Sequence, residues 1–164
     1  HFGLPYAFAS HFAPDALYDA LNIYRERFQP SAQLDKPYAM PCINVVAADT
    51  DDEARRLFTS LQQRFTDMVR NRRGLLSPPI DDIDAYWTPE ERLHAERMLT
   101  CSFVGSPATL ARELDAFIER TGADELIVSG TVFDQDARLR SFELLSQVGQ
   151  RRSKADPEVV ARAI

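Results

Sequence analysis

Segments typical of buried strands alternate along this chain with amphipathic segments, and this alternation constrains the fold more than any other feature. YAFASHF (6–12) is apolar or small on both faces, and INVVAA (43–48) is rich in β-branched and small residues, with Asn44 as its exception. A third such segment, DELIVSGTVF (124–133), is apolar at its centre. Strands without polar alternation are typical of parallel sheets covered on both faces.

The intervening segments carry apolar residues at the spacings of three and four that indicate helices. Thr50 with Glu53 and Thr88 with Glu91 match the capping-box pattern of a helix start, and Gly122 marks a helix end. The helix after Thr88 has a weaker stripe than the others, formed by Leu93, Met98 and Leu99. The stronger predicted stripes are Leu17, Leu21, Tyr24 and Phe28; Leu57, Leu61, Phe65 and Met68; Leu110, Leu114, Phe117 and Ile118; and Leu139, Phe142, Leu145 and Val148.

Strands that alternate with amphipathic helices predict an α/β fold with a parallel sheet and crossover helices. Only three strands are predicted, because CSFVGSP (101–107) is interpreted as a short apolar segment before a turn, and Pro41 is expected to delay its strand. A sheet of three strands has two open edges, and open edges need to be covered. The pattern therefore favours a chain that is part of a larger protein. We expect the sheet and its helices within residues 1–150, and a terminal tail or short helix, capped by Asp156 and Pro157, within 151–164.

Composition excludes several classes of function. A formal net charge of −6 and an isoelectric point near 5.1 argue against a nucleic-acid surface, and basic clusters at 70–74 and 150–154 are interpreted as solvated helix ends. No apolar run approaches the roughly 20 residues of a membrane helix. Cys42 and Cys101 lack the short spacing of metal ligands. Buried reduced thiols in a cytoplasmic protein are the expectation.

Taken together, the segments GLPYAFASHFAP, NVVAADTDDEARRL, FVGSPATLARELDAF and TGADELIVSG, followed by RLRSFELL, resemble the luciferase-like flavin-dependent monooxygenase family in order and spacing over residues 3–148. The resemblance implies a (βα)8 barrel that binds reduced FMN, or in some branches a deazaflavin, and uses O2 to oxidise a small organic substrate. It also implies a flavin reductase as partner, and association into a homo-oligomer is expected.

On that barrel the resemblance makes YAFASHF strand six, INVVAAD strand seven and ELIVSG strand eight, so the expected fold class is a partial (βα)8 TIM barrel. Strands one to five, and the loop that binds much of the flavin phosphate, would then precede residue 1. GSP (105–107) is no P-loop; it is interpreted as a helix start, with anion binding as the alternative. The chain is therefore expected to be a carboxyl-terminal fragment, inactive without its amino-terminal part and unable to hold FMN alone.

Barrel enzymes build their sites at the carboxyl ends of the strands, so His11 is the candidate catalytic residue. Its imidazole is suited to hydrogen bonding with the flavin ring or to proton transfer, and the alternative is a polar residue that closes a strand end. Ser10 and Phe8 are candidate cofactor contacts, with core packing as the alternative for Phe8. Ser129 and Thr131 are candidates because they flank Gly130, which either admits a cofactor closely or makes a tight strand exit.

Asn44 lies inside an apolar strand and needs a hydrogen-bond partner, either as a structural amide or toward polar groups of the absent part. His94 lies on a charged helical segment and is expected to be solvated. Asp81, Asp82 and Asp84 lack the glycine and glutamate of a calcium loop and are interpreted as a solvated loop, anchored by Trp87. No metal site is predicted.

A second hypothesis places the chain in a different class. A thin parallel sheet with open edges also suits a non-catalytic α/β module that associates with itself through those edges.

Overall fold

A central strand of nine residues organises the fold, and every other strand pairs with it in parallel. The computed structural model describes residues 2–155. Its elements are β1 (Tyr6–Phe8), a 3-10 turn (Pro14–Ala16), α1 (Leu17–Glu26), β2 (Ala39–Ala47), α2 (Asp51–Val69), α3 (Pro89–Met98), β3 (Ser102–Gly105), α4 (Pro107–Thr121), β4 (Ile127–Ser129) and α5 (Gln135–Ala155).

The sheet has four strands, all of them parallel to β2. Tyr6 of β1 lies opposite Ala39, near the start of β2, and β4 pairs with the middle of β2. β3 pairs with the last residues of β2, with Ser102 opposite Asn44. The parallel α/β architecture is therefore confirmed. The count of three strands was wrong, because β3 is too short to display a pattern and becomes a strand through its pairing with β2.

Pro41 lies inside β2, which begins at Ala39, so the expectation that the strand starts after the proline was wrong. Alternate residues of a strand bond to alternate neighbours. The carbonyl of Tyr38 accepts from Tyr6 of β1, and the N–H of Asn44 donates to Cys101, so even-numbered residues face β1 and β3. Pro41 faces the β4 side, where pairing begins only at Cys42, and no ladder hydrogen bond is lost there.

Strand register divides the sheet into two faces, since successive side chains point to opposite sides. We call the side of Ile43 the helix face and the side of Asn44 the inner face. The helix face of β2 packs against α1, α4 and α5 in a core that includes Leu17, Leu21, Ala39, Ile43, Val45, Ala47, Phe103, Leu110, Leu114, Phe117, Leu144 and Val148.

Cover on the inner face is uneven. Near the end of β2, Val46 packs with Ala54 and Leu57 at the start of α2. Ala7 of β1 and Ile127 of β4 are exposed on the same face. The prediction of strands covered on both faces is therefore right for β2 and wrong for β1 and β4.

Most predicted helix stripes are confirmed, but α5 is rotated from its prediction. Leu139 and Phe142 are 52% and 41% exposed, whereas Ser141 and Leu144 are buried. The Ser141 hydroxyl accepts a hydrogen bond of 2.8 Å from the N–H of Ala47, which lies beyond the last residue paired with β4. A buried backbone donor needs a partner, and this need brings Ser141 to the sheet instead of Phe142.

The segment between α2 and α3 is anchored by Trp87, as predicted. Its ring is buried against Leu61 and Phe65, and Nε1 donates to Asp84. α3 starts with the predicted capping box of Thr88 and Glu91. It buries Ala95 and not Leu93, which is 71% exposed.

The remaining sequence expectations concern thiols, metals, membranes and the terminal segment. Cys42 and Cys101 are buried free thiols. Among residues 2–155, no group of histidine, cysteine or carboxylate side chains is arranged to hold a metal ion, and no helix is long and apolar enough to cross a bilayer. α5 continues past residue 150 to Ala155, and the cap expected at Asp156 and Pro157 lies outside the described residues.

Candidate functional site

A group of polar side chains lies at the carboxyl-terminal side of β1, β2 and β4, centred on Asn44 of the inner face. Asn44 is 3% exposed, in the central strand. Its Nδ2 donates to the carbonyl of His11 at 3.1 Å and to the hydroxyl of Ser102 at 3.2 Å. One amide therefore ties the turn after β1 to β2 and β3, which accounts for a polar residue in an apolar strand.

Ser10 fixes the same turn from its other side. Its side chain is fully buried, and Oγ donates to the carbonyl of Cys42 at 2.6 Å. The N–H groups of Phe12 and Ala13 both donate to the carbonyl of Ala9, which closes a tight turn directly after β1. Ser10 thus holds the turn against β2, and its hydroxyl is engaged with the backbone.

His11 lies at the centre of this turn. The residue is partly exposed, but its Nδ1 is buried without a hydrogen-bond partner among residues 2–155. A buried ring nitrogen without a partner is costly and calls for an explanation in terms of a ligand or another chain segment. An imidazole at the carboxyl end of a strand is suited to hydrogen bonding or proton transfer.

Ser129 lies directly opposite Asn44 on β4, so its side chain belongs to the inner face. Thr131 follows two residues later, and both residues are partly exposed. At Gly130, an added Cβ would lie 2.5 Å from Cζ of Phe142 on α5. The glycine therefore makes room for the Phe142 ring, which favours the tight strand exit over a close approach by a cofactor.

Phe8 lies apart from this group. It is opposite Pro41 and packs, with Tyr6, against the helix-face core. The two rings have centroids 6.3 Å apart. The structure does not bring Phe8 together with Asn44 or Ser129, because adjacent residues of a strand face opposite ways and the inner face of β1 is formed by Ala7 and not Phe8.

The amide and hydroxyl side chains of Asn44, Ser10 and Ser129 do not ionise, and the two nearby thiols have raised pKa values. Burial raises the pKa of Cys42 and of Cys101, and for Cys101 the Ser10 hydroxyl and Arg120 offset part of that rise. A raised pKa keeps a thiol protonated at neutral pH, and the thiolate is the reactive form. The group can donate and accept hydrogen bonds, and His11 is the member whose side chain is suited to proton transfer.

The start of α4, considered as an anion site in the sequence, holds a carboxylate of the chain itself. Asp51 accepts from the N–H of Ser106 at 2.6 Å and from the hydroxyl of Thr109 at 3.0 Å. These hydrogen bonds lower the pKa of Asp51. The N–H of Ser106 and the hydroxyl of Thr109 at this helix start thus bind Asp51 and not a free phosphate.

Sequence reasoning missed Ser102. Its hydroxyl accepts from Asn44 because β3 pairs with the end of β2. The available signal was a hydroxyl residue at the first position of a short apolar segment, and it becomes informative only once that segment is known to be a strand. Of the candidates named from sequence, the structure brings Ser10, His11 and Ser129 to the end of the sheet that Asn44 occupies.

Comparisons with known proteins give the chain its relatives, although no protein-family model matches it. The chain is 50% identical over 146 residues to a luciferase-like monooxygenase of Escherichia coli (strain K12), and the match covers 89% of this chain. The chain belongs to the luciferase-like monooxygenase family. A second relative, the uncharacterised protein YvbT of Bacillus subtilis (strain 168), is 42% identical over 150 residues and 92% of this chain.

Comparison with solved structures finds a similar fold. The crystal structure of apo-MsnO8 matches 90% of this chain with a TM-score of 0.71 and 29% sequence identity. The chain spans only part of each relative: 44% of the Escherichia coli protein, 45% of YvbT and 45% of apo-MsnO8. The matched region is therefore less than half of each of these three proteins.

Proposed function

We propose that this chain is the carboxyl-terminal part of a flavin-dependent monooxygenase of the (βα)8 barrel type, within the 1–150 portion. In this proposal β1, β2 and β4 are barrel strands six, seven and eight, and β3 is an additional strand beside the end of strand seven. The observation that carries the proposal is the polar group of His11, Asn44 and Ser129 at the carboxyl ends of parallel strands, where barrel enzymes place their sites.

The residues present suit the ring of FMN better than its phosphate. The inner face offers exposed apolar side chains at Ala7 and Ile127 and the hydroxyl of Ser129, and the buried Nδ1 of His11 has no partner among the described residues. The start of α4 does not offer a phosphate site, because the carboxylate of Asp51 already accepts the N–H of Ser106 there. We therefore assign phosphate binding to chain outside these residues, and FMN binding is not expected from this chain alone.

In the complete enzyme, bound reduced FMN supplies the electrons for the reaction of O2 with a small organic substrate. His11 would hold or move a proton at Nδ1, at the end of the inner face. Asn44 and Ser10 would keep the His11 turn in position through their backbone hydrogen bonds, and Ser129 and Thr131 would line the site. A flavin reductase as electron source, a cytoplasmic location and a homo-oligomeric state belong to the same proposal.

The self-association alternative has one observation in its favour. Within residues 2–155, the outer edges of β1 and β4 pair with no further strand, and Ala7 is exposed beside them. Two copies that paired through these edges would satisfy backbone groups and bury the open part of the inner face.

Titration with FMN separates the two proposals. The full-length protein encoded by the reading frame that contains this chain should bind reduced FMN saturably, and the 164-residue chain alone should not. His11→Ala in the full-length protein should lower turnover about 100-fold or more, the usual contribution of a general acid or base, and leave FMN affinity within a few-fold. His94→Ala, at an exposed histidine, is the matched control and should leave turnover unchanged.

A different result would favour self-association. A stable dimer of the 164-residue chain in sedimentation, with no saturable FMN binding by either protein, would replace the monooxygenase proposal with self-association.

A further inference from the structure

A basic pocket of about 310 Å³ lies between the last turns of α2 and the segment that follows this helix, and we call it the arginine pocket. Three arginines give it its charge, and its lining is formed by Arg64, Asp67, Met68, Arg72, Arg73, Gly74, Leu75 and Ser77. None of these residues belongs to the polar group around Asn44. The arginine pocket is therefore a feature that the proposed monooxygenase reaction does not use.

The chain returns along α2 directly after the helix ends, and this return forms the pocket. Asn71 has a positive φ of 54°, which asparagine tolerates better than most residues, and the N–H of Arg72 donates to the carbonyl of Asp67 at 2.8 Å. Further along, Nε2 of Gln63 donates to the carbonyl of Pro78 at 2.9 Å and holds the returning segment against the helix. The two later arginines of the pocket are thus brought beside the earlier one.

The arginines of this pocket differ from their neighbours in having no carboxylate partner. Eight arginines lie within residues 51–98, and five of them form ion pairs: Arg55, Arg56, Arg70, Arg92 and Arg97. The remaining three, which have no ion pair with any described residue, are the three of the arginine pocket. The carboxylate of Asp67 in the lining is already engaged, because it accepts from the hydroxyl of Tyr86 at 2.9 Å and lies 4.0 Å from Nη1 of Arg70.

This arrangement suits an organic phosphate. Like charges around one concavity repel one another, and a bound anion removes that repulsion. A guanidinium group donates two parallel hydrogen bonds that match the oxygens of a phosphate, and the hydroxyl of Ser77 is a further donor. The volume is at the lower end of the range for small-molecule sites. Met68 and Leu75, which are 41% and 96% exposed, offer apolar side chains to the rest of such a ligand.

We propose that the arginine pocket binds a small organic phosphate, with Arg64, Arg72 and Arg73 around the phosphate group and with Met68 and Leu75 beside the organic part. The proposal does not rest on the flavin chemistry above, because the two sites share no residue.

Calorimetric titration of the full-length protein at low salt, where exposed charges are screened least, tests the proposal. Phenyl phosphate should bind saturably and at least about fivefold more tightly than inorganic phosphate, because its ring contacts the apolar side chains. The double variant Arg72→Gln with Arg73→Gln should bind phenyl phosphate at least about tenfold more weakly, since charge-assisted hydrogen bonds are lost. Its affinity for FMN should stay within about twofold of the parent value.

The matched control removes two arginines of the same helix that are already ion-paired. Arg55→Gln with Arg56→Gln changes the net charge equally and should leave the affinity for phenyl phosphate within about twofold. Equal losses in the two double variants would mean a general attraction of anions to positive charge and would overturn the proposal. Absence of saturable binding, equal affinity for the two phosphates, or binding that both variants retain in full would also overturn it.

Chemical modification gives an independent measurement. Phenylglyoxal reacts with guanidinium groups, and phenyl phosphate at ten times its dissociation constant should slow the modification of Arg72 and Arg73 about tenfold. Arg138, at an exposed position of α5, is the control and should react at the same rate with and without the phosphate. No protection of Arg72 and Arg73, or equal protection of Arg138, would contradict the proposal.

Discussion

The side-chain amide of Asn44, in the middle of the central strand, donates a 3.1 Å hydrogen bond to the main-chain carbonyl of His11. Thirty-three residues separate the two in sequence. The same amide donates to Ser102, so the turn that carries His11 is fixed by a group buried beneath the end of the sheet. Asn44 therefore shares with Ser10 the task of holding the turn that carries His11 against β2.

Asn44→Ala should lower the free energy of unfolding by about 1–3 kcal/mol, because it leaves a partly buried carbonyl and a partly buried hydroxyl without their donor. Equilibrium unfolding in urea measures this loss. Asn22→Ala, at an exposed position of α1, is the control and should change stability by no more than about 0.5 kcal/mol. If both substitutions had the same small effect, the Asn44 amide would not stabilise the fold through its hydrogen bonds to His11 and Ser102.

Glu91 joins the start of α3 to the end of α2, and its ionisation should appear in the pH dependence of stability. It accepts from the guanidinium of Arg70 at 2.7 and 2.8 Å and from the N–H of Thr88 at 2.8 Å. These hydrogen bonds lower the pKa of Glu91 from 4.5 to about 2. A carboxylate with a lowered pKa stabilises the folded state above its unfolded pKa, and the contribution is lost as pH falls from about 4.5 to about 2.

Urea midpoints measured across this pH range should therefore fall less steeply for Glu91→Gln than for the parent protein. Glu90→Gln, at the exposed neighbouring residue, should retain the parent profile. Parallel profiles for all three proteins would mean that Arg70 and Thr88 do not bind the ionised carboxylate preferentially.

A methyl group at Gly130 should be accommodated only if the ring of Phe142 moves. The added Cβ would lie 2.5 Å from the ring of Phe142, which must then shift from its place beside the sheet. Gly130→Ala should lower stability by about 1 kcal/mol, the low end of the range for overpacking, because the Phe142 ring is 41% exposed and can move. The second substitution Phe142→Leu should restore part of the loss in a double-mutant cycle. Gly74→Ala, where nothing lies within 4 Å, should be nearly neutral and serves as control.

The native thiols should be unreactive in the folded protein. Burial raises the pKa of both Cys42 and Cys101, so little thiolate is present at neutral pH and access is poor. Ellman's reagent should label them only after unfolding. Ala116→Cys, at an exposed position, should be labelled at once. Rapid labelling of the native thiols would show that the core around β2 opens readily.

The sequence by itself determined the class of fold and most of the packing of the helices. Helical spacing identifies residues such as Leu17, Leu57 and Leu110, because an apolar stripe of that period can be buried on one side of a helix only. Segments without polar alternation indicated parallel strands, since such strands need cover on both faces. The order of the segments also indicated the luciferase-like relatives, which share up to half of their residues with this chain over the matched region.

Only the tertiary structure decided which residues meet. Residues 102–105 form a strand because β2 extends far enough to pair with them, and this pairing places Ser102 beside Asn44. Phe8 lies on the helix face through strand register, and Ser141 displaces Phe142 from the core because the N–H of Ala47 needs an acceptor. The periodicity of apolar residues is a property of one element and shows how those residues are distributed along it. Register and hydrogen-bond satisfaction are properties of pairs distant in sequence, and they set the direction in which each side chain points.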